Sequence, residues 1–317
     1  MASSNKPRFW PARWGRHWKE IVAGCGVMPC SGARTFWHRL RRQRHGTLLD
    51  GVLYCRPQCL ELALLGRLSQ LMTFRFSPPP ANRMPLGLLM VARGKLSHEQ
   101  VAEALAAQRS ANEGKIGEWF ERLGFATEQE VTSTLALQWG CPVATAVEPD
   151  VLGAGHRLPA AILESFQMLP LQYVPATNTL SIAFGERVEH GALYAIEKML
   201  QCRTQPCVAG RKKVANLIET LRQQPRSHEF EFGPISDPAE MVRISSSYIA
   251  KFGAEEVRLG RFGALIWLRL ANRSSLMNLV LRLRLEPQQA HRPRPALLPH
   301  ISMTVSRGQV PSQRALE

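Results

Sequence analysis

The chain has 317 residues, of which 45% are hydrophobic, and its 40 Lys and Arg against 25 Asp and Glu give a formal charge of +15. This length suffices for about two domains of ordinary size. No stretch approaches the ~20 consecutive apolar residues that a membrane-spanning helix requires. We therefore expect a cytosolic protein, in which the seven cysteines are thiols or metal ligands more often than disulfides.

The first predicted unit, residues 1–76, is strongly basic. Residues 1–84 carry 14 Lys and Arg against three acidic residues, a net +11. Such a segment attracts nucleic acid, a lipid surface or an acidic protein, or is simply a solvated terminus. With Phe36 and Trp37 interleaved, five arginines are suited to gripping phosphate and stacking on bases: Arg34, Arg39, Arg41, Arg42 and Arg44.

Two cysteine pairs in this unit suggest a metal site: Cys25 with Cys30, and Cys55 with Cys59. The second pair lies between a predicted strand and a predicted helix, as in treble-clef zinc knuckles, and four thiolates would close a tetrahedral zinc site. Without metal, a unit this rich in arginine has little core. Because both spacings depart from C-x-x-C, buried or surface thiols remain the alternative. Cys141, Cys202 and Cys207 are predicted to be ordinary thiols.

A proline-rich linker, residues 77–84, precedes a tandem repeat whose copies span residues 86–108 and 116–138. Each copy has an apolar-glycine start, a short helix, a glycine suited to a left-handed helix end, and a second helix that begins with a capping box. Neither copy can bury its apolar face alone, so we predict two helical hairpins packed on each other. Corresponding residues are all 30 positions apart: Leu86 and Ile116, Gly87 and Gly117, Gly94 and Gly124, Ser97 and Thr127, Gln100 and Glu130, Val101 and Val131, Leu105 and Leu135, and Gln108 and Gln138.

The elements after the repeat follow in a characteristic order. CPV at Cys141 to Val143 is followed by LPAAILESFQMLPLQYV from Leu158, a strand at Thr179 to Glu186, a helix at Gly191 to Leu200 and a strand at Gln205 to Ala209. Residues 85–222 thereby resemble the N-terminal domain of type II secretion and type IV pilus assembly ATPases. The resemblance implies an α+β fold: tandem helical hairpins followed by a small α/β sandwich-like domain.

The remaining units are a second linker (223–238), a degenerate α+β module (239–286) and a disordered tail (287–317). The module resembles the start of the middle domain of those ATPases, but no motor follows. A phosphate loop requires G-x-x-x-x-G-K-[ST], whereas Gly94-Lys95 and Gly114-Lys115 are followed by Leu96 and Ile116. We therefore predict no ATP hydrolysis site and no enzymatic activity.

The resemblance also implies a ligand, because some members of the family hold cyclic di-GMP with this repeat. Two departures are that the family's arginine is Pro85 in one copy and Lys115 in the other, and that Glu121 replaces an apolar residue. The alternative is that the glycines and glutamines only cap and pack the hairpins. The positions carried over are Leu86, Gly87, Gly94, Gln108, Lys115, Ile116, Gly117, Gly124 and Gln138.

These observations predict a non-catalytic regulatory or adaptor protein of bacteria. It would dock to a protein of a secretion or pilus system, and sensing of cyclic di-GMP stays open. The expected location is cytoplasmic, with peripheral association with the inner membrane also open. The alternative is a zinc-containing nucleic-acid-binding protein that uses the basic N-terminal unit. The two differ in salt dependence, which is steep for phosphate-driven binding.

Overall fold

The computed structural model describes residues 25–27, 30, 46–73, 83–144, 158–223 and 228–284. The five arginines of the proposed nucleic-acid surface and the predicted tail lie outside these ranges. No described helix combines the length and the apolar composition needed to cross a membrane.

The predicted α+β class is confirmed. Described helices are α1 (Pro57–Thr73), α2 (Leu86–Ala92), α3 (His98–Ala111), α4 (Ile116–Arg122), α5 (Glu128–Trp139), α6 (Ala160–Phe166), α7 (His190–Leu200), α8 (Arg211–Gln223) and α9 (Pro238–Phe252). Described strands are β1 (Thr47–Leu49), β2 (Val52–Tyr54), β3 (Met168–Val174), β4 (Thr179–Phe184), β5 (Arg203–Val208), β6 (Glu229–Ile235), β7 (Glu256–Phe262), β8 (Leu265–Ala271) and β9 (Leu276–Leu283).

The larger sheet has the strand order β2-β1-β7-β8-β9-β6. Strands β7, β8 and β9 form an antiparallel meander, while β1 and β6 add in parallel at its two sides. Residues of β8 are almost all buried, because both faces of this sheet are covered. On one face Ile266 and Leu268 share a core with α1 and α9, and on the other Trp267 shares a core with α7.

The smaller sheet has the order β3-β4-β5. β3 and β4 pair antiparallel, whereas β4 and β5 pair in parallel with α7 as the crossover helix, since parallel neighbours need a long connection. α6, α7 and α8 contribute Ile162, Ile196 and Ile218 to its core. These elements correspond to the predicted α/β unit after the repeat.

The repeat folds as two hairpins, α2 with α3 and α4 with α5. Ser97 and Thr127 both form complete capping boxes. Gly94 and Gly124 adopt φ values of +66° and +72°, and each first helix ends in a Schellman motif, with Lys95 N–H donating to Met90 O and Phe125 N–H to Phe120 O. Both copies therefore use the same starts and stops, as their sequences predict.

Two features of the larger sheet differ from the predicted organisation. β6 lies inside the predicted linker 223–238, where Pro234 is tolerated because β6 is an edge strand. Residues 46–73 and 239–284, which the sequence assigns to separate modules, share one sheet and one core. The buried leucines of α1 pack in this core against α9 and the sheet. The predicted domain boundaries themselves stay predictions.

Candidate functional site

A pocket of about 330 Å³ lies between the second hairpin and the α/β unit. Its walls are mainly apolar and its rim is charged, which is the usual composition of a small-molecule site. The apolar wall consists of Leu86, Ile116, Val131, Leu135 and Trp139. The charged residues are Lys115, Arg187 and Arg211 with Glu118, Glu121, Glu128 and Glu186.

Some of the predicted ligand positions meet at this pocket and others do not. Leu86, Lys115, Ile116, Gly117 and Gln138 line it. Gly94 and Gly124 instead occupy the left-handed ends of the first helices. The residue-by-residue assignment of the ligand site stays a prediction.

Gly87 and Gly117 allow close helix packing. A Cβ atom added to Gly87 would lie 2.9 Å from Val101 Cγ1, and one added to Gly117 would lie 3.0 Å from Val131 Cγ1. Both distances are too short for an ordinary contact between carbon atoms. These glycines therefore have a packing role in both copies, whether or not a ligand binds.

The two closing glutamines exchange hydrogen bonds between the copies. Gln108 Nε2 donates to Gly114 O at 2.9 Å, directly before the second copy. Gln138 Nε2 donates to Met84 O at 2.8 Å, directly before the first. Because positions 84 and 114 are also 30 residues apart, each glutamine supports the start of the other hairpin's first helix.

Ion pairs join the second hairpin to the N-terminal end of α8. Glu118 Oε1 lies 3.5 Å from Arg211 Nη1, and Glu121 Oε2 lies 3.3 Å from Lys212 Nζ. Glu128 Oε1 accepts a hydrogen bond from the backbone N–H of Lys212 at 2.9 Å. Glu121 thus has a cationic partner on α8.

Lys115 faces the α/β unit from the start of α4. It forms an ion pair with Glu186. Burial, and then the neighbouring Arg187, lowers the pKa of Lys115. Arg187 and Arg211 bring two guanidinium groups to the same pocket as Lys115.

Two buried donors beside the pocket have no hydrogen-bond partner among the described residues. They are Trp139 Nε1, on the pocket wall, and Arg83 Nη1. The Arg83 guanidinium carbon lies 3.6 Å from the centroid of the Trp139 ring, as in a cation–π contact. An unsatisfied buried donor costs about 1 to 3 kcal/mol, so a ligand oxygen accepting from Trp139 would recover free energy.

Sequence reasoning missed Arg187, Glu186 and Arg211. They lie on the loop after β4 and at the start of α8, far along the chain from the repeat. No local motif marks them, because only the packing of the hairpins on the α/β unit brings them to the pocket.

A second candidate site is the four-cysteine cluster formed by Cys25, Cys30, Cys55 and Cys59, whose sulfur atoms all lie within 4.8 Å of one another. Cys30 Sγ is 3.5 Å from Cys55 Sγ and 3.7 Å from Cys59 Sγ. With Zn–S bonds of about 2.3 Å, sulfur atoms at the corners of a tetrahedron are about 3.8 Å apart. The cluster could therefore hold a metal ion, as its position between β2 and α1 predicts.

The pKa values of two thiols of this cluster, Cys55 and Cys59, are raised. Burial, together with hydrogen bonds between its thiol and those of Cys30 and Cys25, raises the pKa of Cys59 to about 12. Burial also raises the pKa of Cys55. A metal ion would displace the thiol protons, because thiolate is the form that coordinates.

No protein-family model and no curated protein matches this chain. Solved structures do. The structure of MshE with cdg is 25% identical, with a TM-score of 0.37, over 44% of this chain and 99% of that chain. The N-terminal domain of XpsE is 18% identical, with a TM-score of 0.35, over 46% of this chain and 97% of that chain. The similarity thus spans less than half of this chain and nearly all of those structures.

Proposed function

We propose that this chain is a non-catalytic regulatory or adaptor protein that binds cyclic di-GMP between its second hairpin and its α/β unit and docks to a protein of a secretion or pilus system. The observation that supports this proposal best is the pocket, where Lys115, Ile116 and Gly117 meet Arg187 and Arg211. The first three are positions that the family resemblance assigns to the ligand. The two arginines come from this chain's own α/β unit.

The chemistry of the pocket suits a nucleotide. Bases would pack on the apolar wall formed by Leu86, Ile116 and Trp139. Phosphate oxygens would accept hydrogen bonds from Arg187 and Arg211, whose guanidinium groups replace those lost at Pro85 and Lys115. Because four carboxylates share the rim, we expect weaker binding than in a rim of arginines alone.

Calorimetry with the full chain and cyclic di-GMP tests the ligand. A hydrogen bond to a charged group contributes about 1.5 to 3 kcal/mol, so Arg187→Ala should weaken binding by roughly tenfold to a hundredfold. Arg222→Ala, an exposed arginine in the last turn of α8, is the matched control and should have no effect. Lys115→Arg should tighten binding. Absence of heat from both wild type and Lys115→Arg would refute the ligand.

The adaptor role is tested by its partners and by turnover. A tagged chain should copurify with a component encoded beside it, and added salt should weaken that complex only modestly. We expect the complex in the cytoplasm. With a membrane-bound partner, we expect it at the inner membrane. ATP hydrolysis that follows the protein peak through repeated purification would contradict a non-catalytic role.

We further propose that the four-cysteine cluster holds zinc as a structural ion. The sulfur separations support a closed tetrahedral site, as does the composition of the cluster, which consists of four cysteines within the part of the chain that the structure describes. Elemental analysis of protein purified without chelator should give about one zinc per chain, whereas Cys55→Ser should lose it.

The alternative function is nucleic-acid binding by the basic N-terminal unit. The net charge of +11 on residues 1–84 is the observation that favours it. Affinity for DNA or RNA that falls steeply with salt and disappears when Arg39, Arg41 and Arg42 become alanine would support this function. Affinity for DNA or RNA that changes in the pocket variants and not in these arginine variants would exclude nucleic-acid binding by the N-terminal unit.

A further inference from the structure

Residues 46–73, here called the N-terminal arm, comprise β1, β2 and α1 and lie against β7 and α9. β1 pairs in parallel with β7, with Leu48 opposite Glu256 and Leu49 opposite Val257. Four buried leucines of α1 share a core with Met241 and Ile249 of α9: Leu60, Leu64, Leu68 and Leu71. The arm therefore covers both the edge of β7 and the apolar face of α9.

Polar contacts align the arm on this surface. Asp50 Oδ1 accepts from the backbone N–H of Leu259 at 3.0 Å, while Asp50 Oδ2 accepts from Arg67 at 3.1 Å. Arg261 Nη1 donates to the carbonyl oxygens of Leu71 and Met72 at 2.6 and 2.9 Å. A β7 side chain thus satisfies carbonyls at the C-terminal end of α1, which a helix leaves unpaired.

The four-cysteine cluster lies at the opposite, N-terminal end of α1. Cys55 directly follows β2, and Cys59 is in the first turn of α1. Cys25 and Cys30 come from a segment that pairs with β2 through Gly26 N–H and Leu53 O at 3.0 Å. β1 and β2 have only three residues each, and a strand pair this short is not stable by itself.

We propose that metal binding at the four-cysteine cluster keeps the N-terminal arm docked, so that metal occupancy decides whether residues 46–73 stay packed on β7 and α9. This inference rests on the proposed metal in the cluster. Metal binding fixes β2 relative to the start of α1, and that fixed geometry presents β1 to β7 and the leucines of α1 to α9. Because the binding free energy of a structural metal is folding free energy, loss of the ion releases the arm. β7 then becomes an edge strand with unpaired backbone groups.

Hydrogen exchange on the full chain, with zinc and after chelation under reducing conditions, tests whether docking of the arm depends on the metal. We expect amides of β7, including Leu259 N–H, to exchange at least about tenfold faster in the metal-free protein, because opening then requires less free energy. Amides of β3 to β5 should not change. Readdition of zinc should restore protection. Cys55→Ser should behave like the metal-free protein, and Cys141→Ser, a half-buried cysteine outside the cluster, like wild type.

The Leu64→Ala variant tests docking of the arm independently of metal binding. It removes a fully buried side chain between α1 and α9 without touching a cysteine, so β7 should exchange faster while zinc content stays at one per chain. Unchanged β7 exchange in Leu64→Ala would show that the arm does not protect β7. If zinc binds but its removal leaves β7 protected, metal-dependent docking of the arm is refuted while the proposed metal site is retained. A chain that takes up no zinc would instead refute the proposed metal site.

Discussion

The first and second hairpins are built alike, but the second supplies most of the pocket lining, whereas the first contributes Leu86 alone to it. Lys115, Ile116 and Gly117 face the α/β unit, whereas Leu88 in the first helix of the first hairpin is 48% exposed. The capping boxes, Schellman motifs and packing glycines are the same in both. The repeat therefore provides a framework, and the site arises where a neighbouring unit meets one of its two equivalent ends.

The reciprocal glutamines refine this comparison. Gln108 and Gln138 make equivalent hydrogen bonds to the backbone of the opposite copy, although only Gln138 lines the pocket. A residue repeated in both copies can thus have a structural role in each and a binding role in one. Variants made in matched pairs distinguish these roles.

Glycine replacement should have the largest effect. Gly87→Val and Gly117→Val should each lower the free energy of unfolding by about 1 to 3 kcal/mol, because the added carbon atoms overlap Val101 and Val131 respectively. Denaturant unfolding measures the loss. Val101→Ala should partly rescue Gly87→Val but not Gly117→Val, since contacting residues couple and distant ones do not. Equal rescue of both would contradict the assignment of Val101 as the contact of Gly87 and of Val131 as the contact of Gly117.

Removal of the glutamine side chains should have an intermediate effect. Gln108→Ala and Gln138→Ala should each lower the free energy of unfolding by about 0.5 to 1.5 kcal/mol, the usual contribution of one hydrogen bond. Calorimetry with cyclic di-GMP should separate them, because only Gln138→Ala should weaken binding. Equal weakening by Gln108→Ala would mean that the ligand spans both copies.

Lowering the pH should produce the smallest difference between the two copies, in the hydrogen bonds of their capping boxes. Backbone hydrogen bonding from Thr127, then the Lys95 ammonium, lowers the pKa of Glu130 to about 2, while the equivalent Gln100 does not titrate. Since the folded-state pKa is depressed, the stabilisation is present above the unfolded-state value of about 4.3 and is lost as pH falls towards about 2. The Thr127 amide signal in NMR should titrate with that low midpoint, and the Ser97 signal should not. Persistence of the transition in Glu130→Gln would assign it to another group.

Local signals predicted much of this fold. Ser97, Thr127, Gly94 and Gly124 begin or end helices through contacts within a few residues, so their pattern is readable in a single sequence. The two cysteine pairs likewise predicted the cluster of four thiols. β6 was hidden because its Pro234 resembles linker composition, although an edge strand tolerates proline.

Contacts between distant segments could not be predicted in this way. Arg187 and Arg211 have no motif in common with the repeat, yet they line the same pocket as Lys115. The partner of α1 was equally hidden, because an apolar helix face indicates burial without indicating which element buries it. Fold class and caps were therefore accessible, whereas the composition of the pocket rim required the structure.

The parallel pairing of β1 with β7 also constrains how the protein is made. Thr47 Oγ1 donates to Ala254 O across 207 positions, so the partner of β1 leaves the ribosome roughly 10 to 40 s later at about 5 to 20 residues per second. Throughout that interval the leucines of α1 lack their native cover. The four cysteines, by contrast, have all emerged by residue 59, so metal uptake can precede closure of the sheet. The proposed zinc site therefore predicts that zinc supply during translation influences how much newly made chain escapes aggregation.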